Sequence, residues 1–243
     1  LKQLRFTRDD FALAPQIGSR IAFPGIHLDF GNGIELLESQ VADKFPAQVD
    51  NFRRLLGRLI EYDDLDQACF EISARDVLNE TLDDPLLIEM LLCPLMWYGN
   101  AREHDMDYGQ FCIMFRSIFL EGFSRPFAGV RLILKNLVRK FRGLGGELKL
   151  RSGVQRIRVE DKQVVGVVLD NGEELQGRRV LSSAGLVETL RMCDDVTEPL
   201  DKQAGRLSFC EAIAILDREP KDLGCDRTIV FFNDSETFHW HKP

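Results

Sequence analysis

Between Val130 and Gly185 the spacing of apolar residues changes once, and that change limits what the chain can fold into. Val130, Ile133, Leu134, Leu137, Val138 and Phe141 recur at three- and four-residue intervals, the signature of one helix face, and Gly143, Gly145 and Gly146 supply a stop. From Leu148 the period drops to two. Leu148 and Leu150 alternate with polar neighbours, and Val154, Ile157 and Val159 mark a further strand. Asp161-Lys162-Gln163 turns the chain into Val164–Leu169, and Asp170-Asn171-Gly172 is a hairpin signal leading into Glu173–Gln176. A strand over Arg179–Ser183 then ends on Ala184-Gly185. The order helix, strand, β-meander, strand and small-residue turn predicts an α/β unit with the meander inserted in it.

Upstream the pattern is mostly helical. Residues 1–34 read as short extended pieces broken by Pro15, Gly18, Pro24 and the Gly31-Asn32-Gly33 turn. Ile34, Leu37, Val41, Phe45, Val49, Phe52, Leu56 and Leu59 then follow helical spacing, with Pro46 as a kink or break. Ser73 with Asp76 three residues on is a variant capping box, and Asp84-Pro85 is an N-cap followed by proline at the first helical position. Residues 109–122 are aromatic-rich and read as helix. Downstream, Cys210–Leu216 and Thr228–Phe232 read as strands separated by a turn around Pro220 and Gly224.

Composition excludes several function classes. With 44% hydrophobic and 29% charged residues the chain has the balance of a folded globular protein. A net charge of −8 and no basic stripe interleaved with aromatics argue against a nucleic-acid partner. The apolar stretch from Pro85 to Tyr98 is interrupted by Glu89 and falls short of the ~20 residues a bilayer span needs. The six cysteines, Cys69, Cys93, Cys112, Cys193, Cys210 and Cys225, form no CxxC pair and are expected to be buried free thiols in a reducing cytosol. A cytoplasmic location follows, with peripheral membrane association left open. The chain begins at Leu1 rather than methionine, so it is expected to be a fragment or processed product.

The motifs resemble those of the FAD-dependent phytoene desaturases and carotenoid isomerases, within the amine oxidase superfamily. Phe123-Ser124-Arg125-Pro126-Phe127-Ala128-Gly129-Val130, with the helix after it and Leu144-Gly145-Gly146-Glu147, is similar to that family's Pro-x-Gly-Gly loop, helix and Gly-Gly strand. Gly153-Val154-Gln155-Arg156-Ile157 resembles its Val-x-x-Ile strand. Val165 through Glu173 resembles its Gly-Val-x-Leu-x-(Asp/Asn)-Gly hairpin, and Val180-Leu181-Ser182-Ser183-Ala184 its Ser-(Asn/Ser)-Ala strand end. Ile215 through Leu223 and Thr228-Ile229-Val230-Phe231 resemble the strand pair that follows. The resemblance covers roughly residues 20–235 and departs from the family twice. Ala128 stands where the loop has its first glycine, and no Gly-x-Gly-x-x-Gly occurs anywhere in the chain.

The resemblance implies an α+β chain: a helical substrate-cap domain with a mixed sheet, plus part of a glutathione-reductase-like FAD-binding α/β domain carrying the β-meander. It divides the chain into residues 1–143, mostly substrate-binding, 144–195, the returning segment of the FAD domain, and 196–243, a second substrate-domain segment. It implies a parent FAD-dependent oxidoreductase of desaturase or isomerase type acting on a hydrophobic polyene or isoprenoid. The chain by itself would be inactive and bind FAD weakly or not at all. Val154, Ser183, Ala184 and Gly185 would lie at the cofactor, and Met96, Trp97, Tyr98, Phe111, Met114, Phe115, Phe119 and Phe123 would line an apolar substrate tunnel. Read without the resemblance, Val154 is a core strand residue, Ala184-Gly185 a turn, and the aromatics ordinary core. The flavin carries the chemistry in such enzymes, so no catalytic side chain is assigned. Alternatives are an amine oxidase-type flavoenzyme and a non-catalytic binding domain that has lost the cofactor. His239 and His241 lack a third ligand at metal spacing, and Asp63-Asp64, Asp83-Asp84 and Asp194-Asp195 read as solvated carboxylates.

Overall fold

The computed structural model describes residues 2–63, 72–98, 102–196 and 210–238. The chain divides into two compact units, residues 1–134 with 210–243, and residues 135–209.

The first unit is built on a three-stranded mixed sheet. The hairpin β2 (Ser19–Phe23) and β3 (Ile26–Phe30) pairs antiparallel, and β8 (Ile229–Phe232) adds to the other side of β2 in parallel. Alternation puts Ile21, Phe23, Leu28, Phe30 and Phe231 on the face that helices cover. Helix α1 (Glu35–Lys44) ends before Pro46, where a short 3₁₀ turn intervenes, and α2 (Val49–Glu61) follows. Pro46 thus breaks the pattern into two helices, because its ring cannot continue the preceding turn. Leu37 and Val41 of α1 and Phe52, Leu55, Leu56 and Leu59 of α2 face the core, while Arg53, Arg54 and Arg58 face outward.

Two helix starts follow their sequence signals. Ser73 Oγ accepts from Asp76 N at the start of α3 (Ala74–Thr81), and Asp84 accepts from Leu86 N and Leu87 N at the start of α4 (Pro85–Met96). Helix α4 is buried on nearly every side, so its sequence shows little amphipathic contrast. Helix α5 (Tyr108–Phe115) widens directly into a π-helical segment, Arg116–Glu121, which helical periodicity did not foretell. A two-stranded ladder joins β1 (Leu13–Pro15) to β4 (Ser124–Pro126). No described helix is long and apolar enough to cross a membrane.

The second unit takes in most of α6 (Arg131–Gly143) and the meander β5 (Val154–Glu160), β6 (Gln163–Leu169) and β7 (Glu174–Gln176), all antiparallel. The first meander turn places Asp161 and Lys162 at φ 50° and 62°, the left-handed pair of a tight hairpin. After β7 the chain runs irregularly to α7 (Leu186–Arg191) and returns to β5, where Ile157 N donates to Met192 O and Asp194 N to Ile157 O.

Three expected strands are not ladder strands here. Residues 146–153, holding Leu148 and Leu150, and residues 179–183 form no ladder strand, the former bending at Leu150 and Arg151, and Leu181 is fully exposed. Alternation marks a segment fit for a sheet, but only a neighbouring strand satisfies its N–H and C=O groups. Cys210–Leu216 is likewise irregular, with Ile213 and Ile215 on the surface. Cys93 and Cys112 are buried and form no disulfide, as expected; Cys193 is half-buried, Cys210 and Cys225 are exposed, and Cys69 lies outside the described residues. His239 and His241 lie outside them too.

Candidate functional site

In the second unit the meander, the 180–186 turn and α7 enclose an open cavity of about 490 Å³. Ile157 and Val164 form one wall, Val180, Ser182, Ser183, Gly185 and Leu186 the turn, and Thr189 and Cys193 the far side. Gly185 sits at φ 98°, a conformation that disfavours any side chain, and leads into the first turn of α7. Thr189 Oγ1 donates to Ser182 Oγ at 2.6 Å, and Ala184 N donates to Ser182 Oγ at 3.2 Å, so α7 and the turn are tied through one hydroxyl. Burial, and then the Asp195 and Asp194 carboxylates, push the Cys193 thiol up, which keeps it protonated and unreactive at neutral pH. The cavity wall holds hydroxyls, the Cys193 thiol, aliphatic groups and backbone, with no carboxylate, imidazole or ammonium among its lining residues. Such a wall can shape and hydrogen-bond a ligand, but it carries no acid–base pair of its own.

Ser183 and Gly185 of the four expected cofactor residues are therefore brought together at this cavity; Ala184 lies between them in the chain without lining it. Val154 lies on β5, half-exposed and outside the cavity lining. Its backbone direction follows from its neighbour. Gly153 O accepts from Asp170 N at 3.0 Å, and a trans peptide points its C=O and N–H in opposite directions. Val154 N–H therefore points away from β6, towards the opposite edge of β5, with a register shift just after it between Val154 and Arg156. Ser182 and Thr189 were missed by sequence reasoning, because a hydroxyl seven residues from its partner has no periodic signature.

The first unit holds the expected substrate residues. Met96, Phe111, Phe115 and Phe119 are fully buried. Phe115 packs against Phe111 and Phe119 with ring centroids 5.7 and 4.7 Å apart, and Phe30 meets Phe119 at 4.9 Å and Phe123 at 6.3 Å. These rings fill one another's space as core residues do. Met114 and Phe123 pack against the same cluster from its margin. Only Trp97 and Tyr98, at the C-terminal end of α4, are open to solvent. Cys93, one turn before Trp97, has its thiol pushed up to about 12 by burial and is inert. No group of His, Cys, Asp and Glu side chains suited to a metal ion occurs among the described residues.

The fold is similar to part of a solved oxidoreductase. Over 78% of this chain and 44% of the other, it superposes on the crystal structure of an oxidoreductase from Methanosarcina mazei with a TM-score of 0.55 at 14% identity. The sequence is more particular. It is 24% identical over 198 residues to the phytoene desaturase (lycopene-forming) of Pseudescherichia vulneris, 69% of this chain and 38% of that protein. It is 27% identical over 114 residues to the chloroplastic prolycopene isomerase of Daucus carota, 46% of this chain and 18% of that protein. The chain is thus carotenoid desaturase- and isomerase-like, and spans less than half the length of the relatives it matches. No protein-family profile matches it.

Proposed function

We propose that this chain is the substrate-binding part, together with the returning segment of the cofactor domain, of an FAD-dependent oxidoreductase of desaturase or isomerase type. Its substrate is a hydrophobic polyene or isoprenoid. The observation that carries the reading is the cavity at Ser183 and Gly185, whose wall has shape and hydroxyls but no reactive side chain, as a site needs when the bound group brings its own chemistry.

The residues present fit one portion of FAD. The outward N–H of Val154 suits the edge of a flat heteroaromatic such as adenine. Ser183, Ala184 and Gly185 offer backbone and one hydroxyl, and the glycine leaves room for close approach. When bound, FAD would supply the hydride acceptor. The chain's own part is to hold and orient it and to keep water off it. Residues 1–134 with 210–243 then carry the substrate, with Trp97 and Tyr98 among the exposed aromatics at its disposal. The chain has no glycine-rich loop for the pyrophosphate, so by itself it binds FAD weakly or not at all. Within a cytoplasmic setting, a lipid-soluble substrate favours transient contact with a membrane surface.

Ala128, standing where the resembled loop has glycine, favours a second reading: a binding domain that kept the fold without the cofactor. An absorbance spectrum of the protein purified from its whole reading frame separates the two. Flavin bands in that form, lost from residues 1–243 alone, are the expected result. A colourless protein that ignores added FAD overturns the flavoenzyme and leaves the binding domain.

A further inference from the structure

The cavity of the second unit is walled mostly by aliphatic groups, and the two hydroxyls tied together on its wall leave one proton without an acceptor. Ser182 and Thr189 share a single hydrogen bond of 2.6 Å, and Ser182 Oγ also accepts from Ala184 N at 3.2 Å. Two hydroxyls carry two protons, and the bond between them uses one. With Thr189 as donor, both lone pairs of Ser182 are taken, so its own O–H can act only as a donor. With the pair reversed, the spare proton sits on Thr189, on the same wall. Neither hydroxyl has a further partner among the described residues, so in either arrangement the pair keeps one donor for the cavity.

The backbone holds this pair from both ends. Thr189 lies on α7, where its N–H donates to Gly185 O at 3.0 Å, and Gly185 at φ 98° turns the chain from Ser182 into that helix. The segment that carries Ser182 is thereby closed onto the helix that carries Thr189 by one main-chain bond and one hydroxyl bond.

Charge around the cavity limits what that donor can serve. No lysine or arginine lines the wall. A Glu188 carboxylate oxygen stands 2.6 Å from where a Cβ on Gly185 would be, and the Asp195 and Asp194 carboxylates act on the lining Cys193. An anion such as pyrophosphate would leave water here for negative surroundings, with no cation to replace its hydration. An uncharged ring can lie against Ile157, Val164, Val180 and Leu186, and its one polar edge finds the spare hydroxyl proton. The volume of about 490 Å³ falls within the roughly 300–1,000 Å³ of small-molecule sites.

We infer that Ser182 selects the occupant of this cavity, an uncharged heteroaromatic ring that presents a hydrogen-bond acceptor to its hydroxyl, with Thr189 as the positioning residue. This goes beyond the flavin reading, which leaves open what part of FAD lies here: on that reading a ring enters and the phosphates stay outside.

The test titrates the 243-residue chain with riboflavin, adenosine and inorganic pyrophosphate and follows backbone amides by nuclear magnetic resonance. Riboflavin or adenosine is expected to shift Ala184, Gly185 and Thr189 saturably, the tighter of the two naming the ring. Pyrophosphate is expected to leave them in place, and the amides of α2 serve as a folding control. Ser182→Ala is expected to weaken ring binding about tenfold, the worth of one hydrogen bond. Thr189→Val keeps the shape and leaves Ser182 its proton but unheld; it is expected to weaken binding less, and Thr189→Ser to restore it, a rescue that general loosening of the unit would not show. Pyrophosphate that shifts these amides, or rings that do not, overturns the inference, as does ring binding that Ser182→Ala and Thr189→Val both leave unchanged. Flavin bands in the protein from its whole reading frame, beside rings that leave these amides unmoved, keep the flavoenzyme and remove this role for Ser182. Ring binding at these amides in a protein that ignores FAD keeps the role and removes the flavin reading.

Discussion

At the scale of single residues, two carboxylates, the half-buried Asp29 and the buried Glu89, join distant parts of the first unit. Asp29 on β3 accepts from Arg20 Nε at 2.6 Å and Nη2 at 3.0 Å, and from Arg227 Nη2 at 2.9 Å. Burial raises the Asp29 pKa, but the hydrogen bonds and charges of the two guanidiniums outweigh it and hold the carboxyl well below the ordinary carboxylate range. A depressed folded pKa means that the stabilisation is complete above the unfolded value near 4 and is lost as pH falls below it towards the folded value. Asp29→Asn is therefore expected to cost about 2 kcal/mol at pH 7 and to flatten the acid limb of a stability–pH profile below pH 4, read by urea unfolding. An unchanged acid limb would show that other carboxylates set it. Glu89 plays the second part. It takes a two-point pair from Arg75 and accepts from Phe238 N at 3.0 Å, so α3, α4 and the segment after β8 meet on one side chain. Nothing in the local sequence around Glu89 announced more than an interruption in an apolar helix.

At the scale of elements, the helix starts were legible because capping is local: Ser73 and Asp84 satisfy N–H groups two and three residues away. The meander was legible for the same reason, since its turns and its alternation are contained between Val154 and Gln176. The aromatic segment 108–123 was only half legible. Its composition suits either a tunnel wall or a core, and packing alone decides between them. Phe115, fully buried between Phe111 and Phe119, makes the decision measurable. As a core ring its replacement by alanine is expected to cost about 3–5 kcal/mol in chemical denaturation, the transfer loss plus the cavity left behind. A loss under about 1 kcal/mol would mean that the ring faces open space in solution and belongs to a substrate channel. The π-helical stretch Arg116–Glu121 was not legible, because widening a helix by one residue leaves no composition signal.

At the scale of the whole molecule, the two units differ in how much apolar surface each buries. The described core of the first unit runs through the β2–β3 hairpin, β8 and helices α1 to α5, whereas among the described residues of the second the buried hydrophobics are Ile157, Val168, Leu169 and Val187. Native-state hydrogen exchange is expected to follow this division: amides of β2, α2 and α4 should outlast those of β5 and β6 by at least about tenfold, given the larger burial that must be undone to open them. Equal protection in both would mean that the meander is stabilised by packing that these residues do not supply.

Period, caps and turns, all interactions within a few residues, were determined by the sequence alone. So was the ordered run of weak motifs that marks the chain as carotenoid desaturase- and isomerase-like. Only the tertiary structure decided which alternating segments become ladder strands, which aromatics fill the core, and that Asn32 meets Phe123 or Asp29 meets Arg227. Those outcomes depend on partners 91 and 198 residues away, and no local propensity encodes the company a side chain will keep once the chain has closed upon itself.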